Sequence, residues 1–134
     1  MKSKLVLIGA IAAVLLCLAA CAAAPQEVAV DASYSGKEVK LGVGGSLMVT
    51  LESNPASTGF QWELKEISDG TVLQQVGQKY EAPEGAGVVG APGKEIWTFK
   101  ALKKGQSSIS MEYSQPWEGG TKAGETFDLT VAVK

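Results

Sequence analysis

The sequence contains no histidine and no arginine, and its two cysteines both lie within the first 21 of 134 residues. Without an imidazole near neutral pKa, Ser-His-Asp and Cys-His catalysis lack their proton shuttle. Zinc sites are built mainly from His and Cys ligands, and no glycine-rich phosphate loop follows a strand and opens a helix. We therefore expect a binding protein rather than an enzyme, with no metal and no cofactor.

Carboxylate pairs are the one catalytic device that this composition leaves open. Glu63, Glu66, Glu95 and Glu118 are the candidates. Most of them occupy positions that a strand would turn outward, where a solvated surface role is the ordinary one. A carboxylate-based hydrolase stays an alternative, but not the one that we favour.

The first 20 residues have the pattern of an export signal. Lys2 and Lys4 precede an apolar run over residues 5–16, which is shorter than the roughly 20 residues of a membrane-spanning helix. Leu18-Ala19-Ala20-Cys21 resembles the bacterial lipobox, in which cleavage occurs directly before a lipidated cysteine. We expect residues 1–20 to be a cleaved lipoprotein signal peptide and Cys21 to carry the lipid.

Cleavage would remove Lys2 and Lys4 and so change the net charge from −2 to −4. A chain with no basic face is not expected to bind nucleic acid. Its lysines are scattered along the sequence, which leaves the lipid as the membrane anchor. We expect a monomer in the cell envelope, on the outer membrane if the cell has one (Ala22 replaces the aspartate of inner-membrane retention) and otherwise on the outer face of the plasma membrane.

Residues 21–36 are interpreted as the lipidated cysteine and a flexible tether, because most of them are small or polar and show no periodicity. The alternative is that Val28-Ala29-Val30 already forms an edge strand. From residue 37 to residue 134 apolar residues recur with a period of two, which is typical of half-buried strands. About seven short strands, separated by Gly-, Pro- and Ser-rich turns, predict an all-β two-sheet sandwich. Its predicted core aromatics are Trp62, Trp97 and Phe127.

Three of the turns are unusual. Residues 54–60 combine Asn-Pro and Thr-Gly turn signals with small hydroxyl residues, and residues 83–93 have four glycines together with apolar Val88 and Val89. Pro116-Trp117 is followed by Gly119-Gly120, so that Trp117 is poorly placed to be a core residue. An exposed aromatic residue on a stiffened loop is typical of an interface hot spot.

These segments, Asn54-Pro55…Thr58-Gly59-Phe60-Gln61-Trp62, Gly90-Ala91-Pro92-Gly93 and Gln115-Pro116-Trp117, resemble the chagasin family of cysteine protease inhibitors. That family has an N-P-T-T-G-Y loop, a glycine-rich loop and an R-P-W loop in this order. The resemblance covers residues 37–134. It implies an immunoglobulin-like sandwich and reversible, competitive inhibition of papain-like cysteine proteases by three loops that plug the active-site cleft.

The resemblance also implies residue roles. Thr58 and Gly59 would lie closest to the catalytic cysteine of the protease, and Phe60 would buttress the loop. The second and third segments would flank the cleft. The expected protease-binding residues are Asn54, Pro55, Ser57, Thr58, Gly59, Phe60, Val89, Gly90, Gly93, Pro116 and Trp117.

Three departures from the family pattern bear on affinity more than on fold. The first loop is one residue longer, with Ala56-Ser57-Thr58 in place of Thr-Thr. Gln115 replaces an arginine and so removes a charge and a forked donor. Pro92 stiffens the second loop. The alternative function is that of an immunoglobulin-like envelope lipoprotein that serves as a non-inhibitory protein-binding or adhesion module.

Overall fold

The computed structural model describes residues 26–85 and 90–134. The predicted signal peptide, the lipidation of Cys21 and the predicted role of Val89 lie outside these residues. Within them, no helix is long and apolar enough to cross a membrane. The helical segments there are a single turn, α1 (Pro55–Thr58), and a 3-10 turn (Ala32–Tyr34). The strands are β1 (Glu27–Val30), β2 (Lys37–Leu41), β3 (Ser46–Ser53), β4 (Gln61–Ile67), β5 (Leu73–Glu81), β6 (Gly93–Ala101), β7 (Gly105–Ser114) and β8 (Glu125–Val133).

The strands form two four-stranded sheets in the orders β1-β3-β6-β5 and β2-β8-β7-β4. Strands β1 and β3 are parallel, as are β2 and β8, whereas the remaining neighbours are antiparallel. One face of each sheet is apolar, as the period of two requires, and these faces pack on each other. The predicted all-β sandwich is confirmed, with eight strands in the described residues rather than about seven.

The additional strand corrects the tether interpretation. Strand β1 pairs in register with Ser46–Val49, and Val30 is only 4% exposed. Gln26 already belongs to this arrangement, because its carbonyl accepts the Ser46 N–H at 2.7 Å. The tether prediction is therefore wrong for Glu27–Val30, which form β1, and the edge-strand alternative is correct. Three alternating residues were too few to separate a strand from a linker.

The predicted core aromatics Trp62, Trp97 and Phe127 are all buried. Trp62 in β4 also joins the two sheets by hydrogen bonds. Its indole Nε1 donates to the Glu52 carbonyl in β3 at 2.9 Å, and its backbone N–H donates to the Glu95 carboxylate in β6 at 2.9 Å. Both bonds lie just below one end of the sandwich.

Glu95 is the exception among the four carboxylate candidates, most of which were expected to face solvent. It is 4% exposed because it shares the inward face of β6 with Trp97 and Phe99. Its carboxylate accepts from Trp62 and also from Gln78 Nε2, at 3.3 Å. Its role is therefore structural. It accepts a hydrogen bond from the Trp62 N–H, which lies on the free edge of β4 and has no partner strand there.

The strand directions bring three connections to the same end. We call residues 54–60 loop 1, residues 82–92 loop 2 and residues 115–124 loop 3. Ser53, before loop 1, pairs with Gly93, after loop 2. Gln61, after loop 1, pairs with Ser114, before loop 3. The register of the sheets therefore places the three unusual segments of the sequence side by side.

The contacts of Trp62 predict a large effect of its removal. Trp62→Ala should lower the free energy of unfolding by about 3–5 kcal/mol, as deletion of a buried aromatic side chain does. Urea unfolding followed by circular dichroism measures this loss. Trp62→Phe keeps a ring but removes the Nε1 donor, and should cost clearly less. A loss below about 1 kcal/mol for Trp62→Ala would show that Trp62 is not a core residue.

Candidate functional site

Loop 1 is a single helical turn closed by its own hydrogen bonds. Pro55 occupies the first helical position, where its missing N–H costs nothing. The N–H and the hydroxyl of Thr58 both donate to the Asn54 carbonyl, at 3.0 and 2.7 Å. Gly59 then ends the turn with φ +72°, a left-handed conformation that favours glycine. The Thr58 hydroxyl also accepts the Phe60 N–H at 3.1 Å, which fixes the exit of the loop.

Loop 3 packs directly on loop 1. A Cβ atom at Gly59 would lie only 2.7 Å from Cζ3 of Trp117, so the indole rests on the bare backbone of this glycine. Gln115 adds a polar link, since its Nε2 donates to the Thr58 carbonyl at 3.1 Å. The Thr-Gly pair of loop 1 and the Pro-Trp pair of loop 3 therefore form one surface.

Hydrogen bonds within loop 3 hold its conformation. The Gln115 N–H donates to the Thr121 carbonyl at 2.8 Å, and the Thr121 N–H donates to Gln115 Oε1 at 2.9 Å. The ammonium group of Lys122 donates to the carbonyls of Gln115 and Trp117. Trp117 is nevertheless 50% exposed, as predicted for it. It is held by its surroundings without being buried in them.

Loop 2 meets loop 1 through Asn54, whose Nδ2 donates to the Gly90 carbonyl at 3.1 Å. Gly93, also an expected binding residue, differs from the others because it is buried at the start of β6 beside Tyr80. Its lack of a side chain serves the packing of β6 on β5. The structure therefore offers Gly90, but not Gly93, on the exposed surface of loop 2.

Tyr113, at the end of β7, supports loop 1 from the side of the core. Its hydroxyl accepts the Asn54 N–H at 2.9 Å. Its ring lies 5.1 Å from that of Trp62 and 5.3 Å from that of Phe60, measured between centroids. Phe60 thus lies at the strand end of loop 1, where the family resemblance expected a buttress.

The surface that results is formed mainly by small or apolar side chains. Its exposed residues include Ala56, Ser57, Thr58, Pro116 and Trp117, and the charged Glu118 follows Trp117 directly. Among residues 26–85 and 90–134, no group of three His, Cys, Asp or Glu side chains is close enough to hold a metal ion. Sequence reasoning missed the bridging roles of Gln115, Tyr113 and Lys122. Only Gln115 carried a signal, its position before Pro116, and it was read there as the loss of an arginine.

Comparison with known proteins agrees with this geometry. The sequence profile of the chagasin family peptidase inhibitors (I42) matches residues 40–131, a range that contains the three loops. Amoebiasin-2 of Entamoeba histolytica is 33% identical over 88 residues, which make up 66% of this chain and 70% of that protein.

Solved structures are similar in fold. The cysteine protease inhibitor EhICP2 of Entamoeba histolytica has a TM-score of 0.68 and 20% identity, over 81% of this chain and 96% of that one. PbICP-C, solved in complex with falcipain-2, has a TM-score of 0.54 and 22% identity, over 83% of this chain and 93% of that one. The immunoglobulin-like sandwich expected from the resemblance is confirmed.

The contact between Gly59 and Trp117 can be tested with a matched pair of glycines. Gly59 and Gly119 both have positive φ, at 72° and 79°, but a Cβ at Gly119 would meet nothing within 4 Å. Gly119→Ala should cost only the left-handed strain of about 1–2 kcal/mol. Gly59→Ala should cost more and should displace Trp117, seen as a shift of its indole N–H resonance and as faster acrylamide quenching. Equal effects of the two changes would contradict the contact.

Proposed function

We propose that this chain, which belongs to the chagasin family of peptidase inhibitors, is a reversible and competitive inhibitor of papain-like cysteine proteases. The observation that carries the proposal is the joining of loops 1, 2 and 3 into one surface at one end of the sandwich. Asn54 ties loop 1 to loop 2, and Gln115 with Trp117 ties loop 1 to loop 3. Loops 1, 2 and 3 together, which we call the wedge, form a surface that fits a cleft rather than a flat partner.

The parts of the wedge have complementary shapes. Loop 1 presents the small residues Ala56, Ser57 and Thr58, which let backbone enter a narrow cleft that larger side chains would block. Trp117 beside it offers a large, rigid contact area, the feature that dominates many interfaces. Loop 1 would occupy the centre of the protease cleft, and loops 2 and 3 would flank it.

The conformation of loop 1 supports inhibition rather than cleavage. Its backbone is a closed turn in which the Asn54, Pro55 and Thr58 carbonyls are already hydrogen-bonded. Such a loop does not offer an extended peptide for hydrolysis. Because it is ordered before binding, it also loses little conformational entropy when it enters the cleft.

Attachment to a membrane belongs to the same proposal. The Leu18-Ala19-Ala20-Cys21 motif would place a lipid on Cys21, ahead of the folded domain. Several acyl chains bury enough CH₂ groups, at about 0.8 kcal/mol each, for stable anchoring. The inhibitor would then act at the cell envelope, on proteases that reach that surface.

The first experiment is a titration of papain with the full chain in detergent micelles, using a fluorogenic peptide substrate. We expect stoichiometric, competitive inhibition, with the chain intact by mass spectrometry after prolonged incubation. Absence of inhibition of both papain and cathepsin L would refute the proposal. The sandwich would then be a binding module for another envelope protein.

Trp117→Ala tests the loop surface itself. It should weaken papain inhibition by more than about fivefold, that is by more than about 1 kcal/mol, with little change in the unfolding midpoint. Leu102→Ala removes another exposed large apolar side chain, in the turn between β6 and β7 at the opposite end of the sandwich, and should leave inhibition unchanged. If Trp117→Ala mainly unfolds the domain, the assignment of Trp117 to the binding surface is wrong.

Gln115→Glu isolates the bond between loops 1 and 3. The glutamate keeps an oxygen that can accept the Thr121 N–H but loses the Nε2 donor to the Thr58 carbonyl. We expect faster dissociation of the papain complex by severalfold, because the change loosens the wedge, and little effect on association at high salt, which screens the added charge. Surface plasmon resonance separates the two rates. An unchanged dissociation rate would show that the bond does not matter for binding.

A further inference from the structure

The end of the sandwich opposite the loops has a different character. It is formed by the turns at residues 42–45, 68–72 and 102–104, and we call it the basal end. Val43 is 50% exposed there and Leu102 is 42% exposed. Hydrogen bonds join their turns: the Gly44 N–H donates to the Ala101 carbonyl at 2.8 Å. Two aliphatic side chains therefore project from neighbouring turns at the same end.

Three lysines belong to these turns or are bonded to them. Lys103 and Lys104 follow Leu102 and are exposed, and Lys134 is joined to the turn of Val43 by the bond from the Val43 N–H to its carbonyl. Asp69 is the acidic residue of these turns, and its carboxylate is bonded to the N–H and hydroxyl of Thr71. The lysines looked scattered in the sequence, but the fold gathers three of them here.

The path of the chain connects this end to the expected anchor. Because β1 runs parallel to β3, the described chain begins at the basal end, where Gln26 accepts hydrogen bonds from Ser46 and Gly42. Cys21 precedes Gln26 by five residues, which span at most about 18 Å. The longest strand, β7, has 10 residues and is about 34 Å long. A lipid on Cys21 would therefore hold the basal end at the bilayer and the loops away from it.

We propose that the basal end is a membrane-contacting surface, with Val43 and Leu102 reaching into the interface and Lys103, Lys104 and Lys134 lying against anionic headgroups. This goes beyond protease inhibition and rests on the proposed lipid at Cys21. The surface is too small to bind a membrane by itself. A short tether raises its effective concentration at the bilayer, so that weak contacts suffice to orient the domain.

The orientation can be read with fluorescent labels on the full lipidated chain in vesicles. With Cys21 acylated, the processed chain has no other thiol, so Leu102→Cys or Glu84→Cys in loop 2 gives a single labelling site. The vesicles contain phosphatidylcholine with or without phosphatidylglycerol, and a headgroup spin-labelled lipid serves as quencher. We expect the label at 102 to be quenched severalfold more than the label at 84, and more so on anionic vesicles.

Charge reversal provides the matched control. Lys103→Glu with Lys104→Glu should reduce quenching at position 102, whereas the same change of charge at Lys65 and Lys79, on the strands β4 and β5, should not. Equal quenching at positions 102 and 84, or insensitivity to the first pair of changes, would overturn the proposal. So would a full chain that fails to sediment with the vesicles, because the orientation depends on the lipid.

Papain inhibition by the unlabelled vesicle-bound chain separates the two proposals. Strong quenching at position 102 without inhibition would refute the proposed function and leave the orientation standing. Inhibition with equal quenching at both positions would refute the membrane orientation and leave the proposed function standing. If the label at 102 is shielded from acrylamide in micelles and the chain migrates as a dimer, the basal end binds a second copy and the membrane proposal fails.

Discussion

The structure depends most on the position of Trp62 between the two sheets. Its indole bonds to the Glu52 carbonyl, two residues before loop 1 begins, and its backbone bonds to Glu95, two residues after β6 begins. Tyr113, stacked on the same indole, holds the other side of loop 1 through the Asn54 N–H. The bases of all three loops are thereby fixed to one buried cluster. The spacing of the loops follows from core packing and not from the loops themselves.

A surface built in this way can recognise its target by shape. Its exposed tip is small and uncharged on loop 1 and aromatic on loop 3, and the polar groups of Asn54 and Gln115 are used within the domain. The replacement of the family's arginine by Gln115 thus has a structural counterpart: the amide forms a link between loops. In the proposed complex, an amide at this position would give up a charge that could face the protease and would keep the wedge ordered, which lowers the entropy lost on binding.

The sequence predicted the strands of the sandwich because alternation in runs such as Leu47, Val49 and Leu51 directly records a sheet with one buried face. It predicted the three loops through turn residues and a misplaced tryptophan. It failed where the conformation or the hydrogen bonds of a residue depend on partners that are distant in sequence. β1 is a strand because β3 offers it a free edge, the buried carboxylate of Glu95 is satisfied by donors from Trp62 and Gln78, and Gln115 reaches Thr58 only after folding. None of these relations leaves a local periodic signal.

The parallel pairing of β1 with β3 places the entry of the chain and the three loops at opposite ends of the sandwich. An antiparallel first strand would bring the chain into the sandwich beside loop 1, where a short tether would hold the wedge against whatever surface bears the anchor. In the parallel arrangement the chain enters beside Ser46, at the far end of β3 from loop 1. Strand direction, which local sequence does not reveal, thus determines whether an anchored domain of this fold exposes or hides its binding loops.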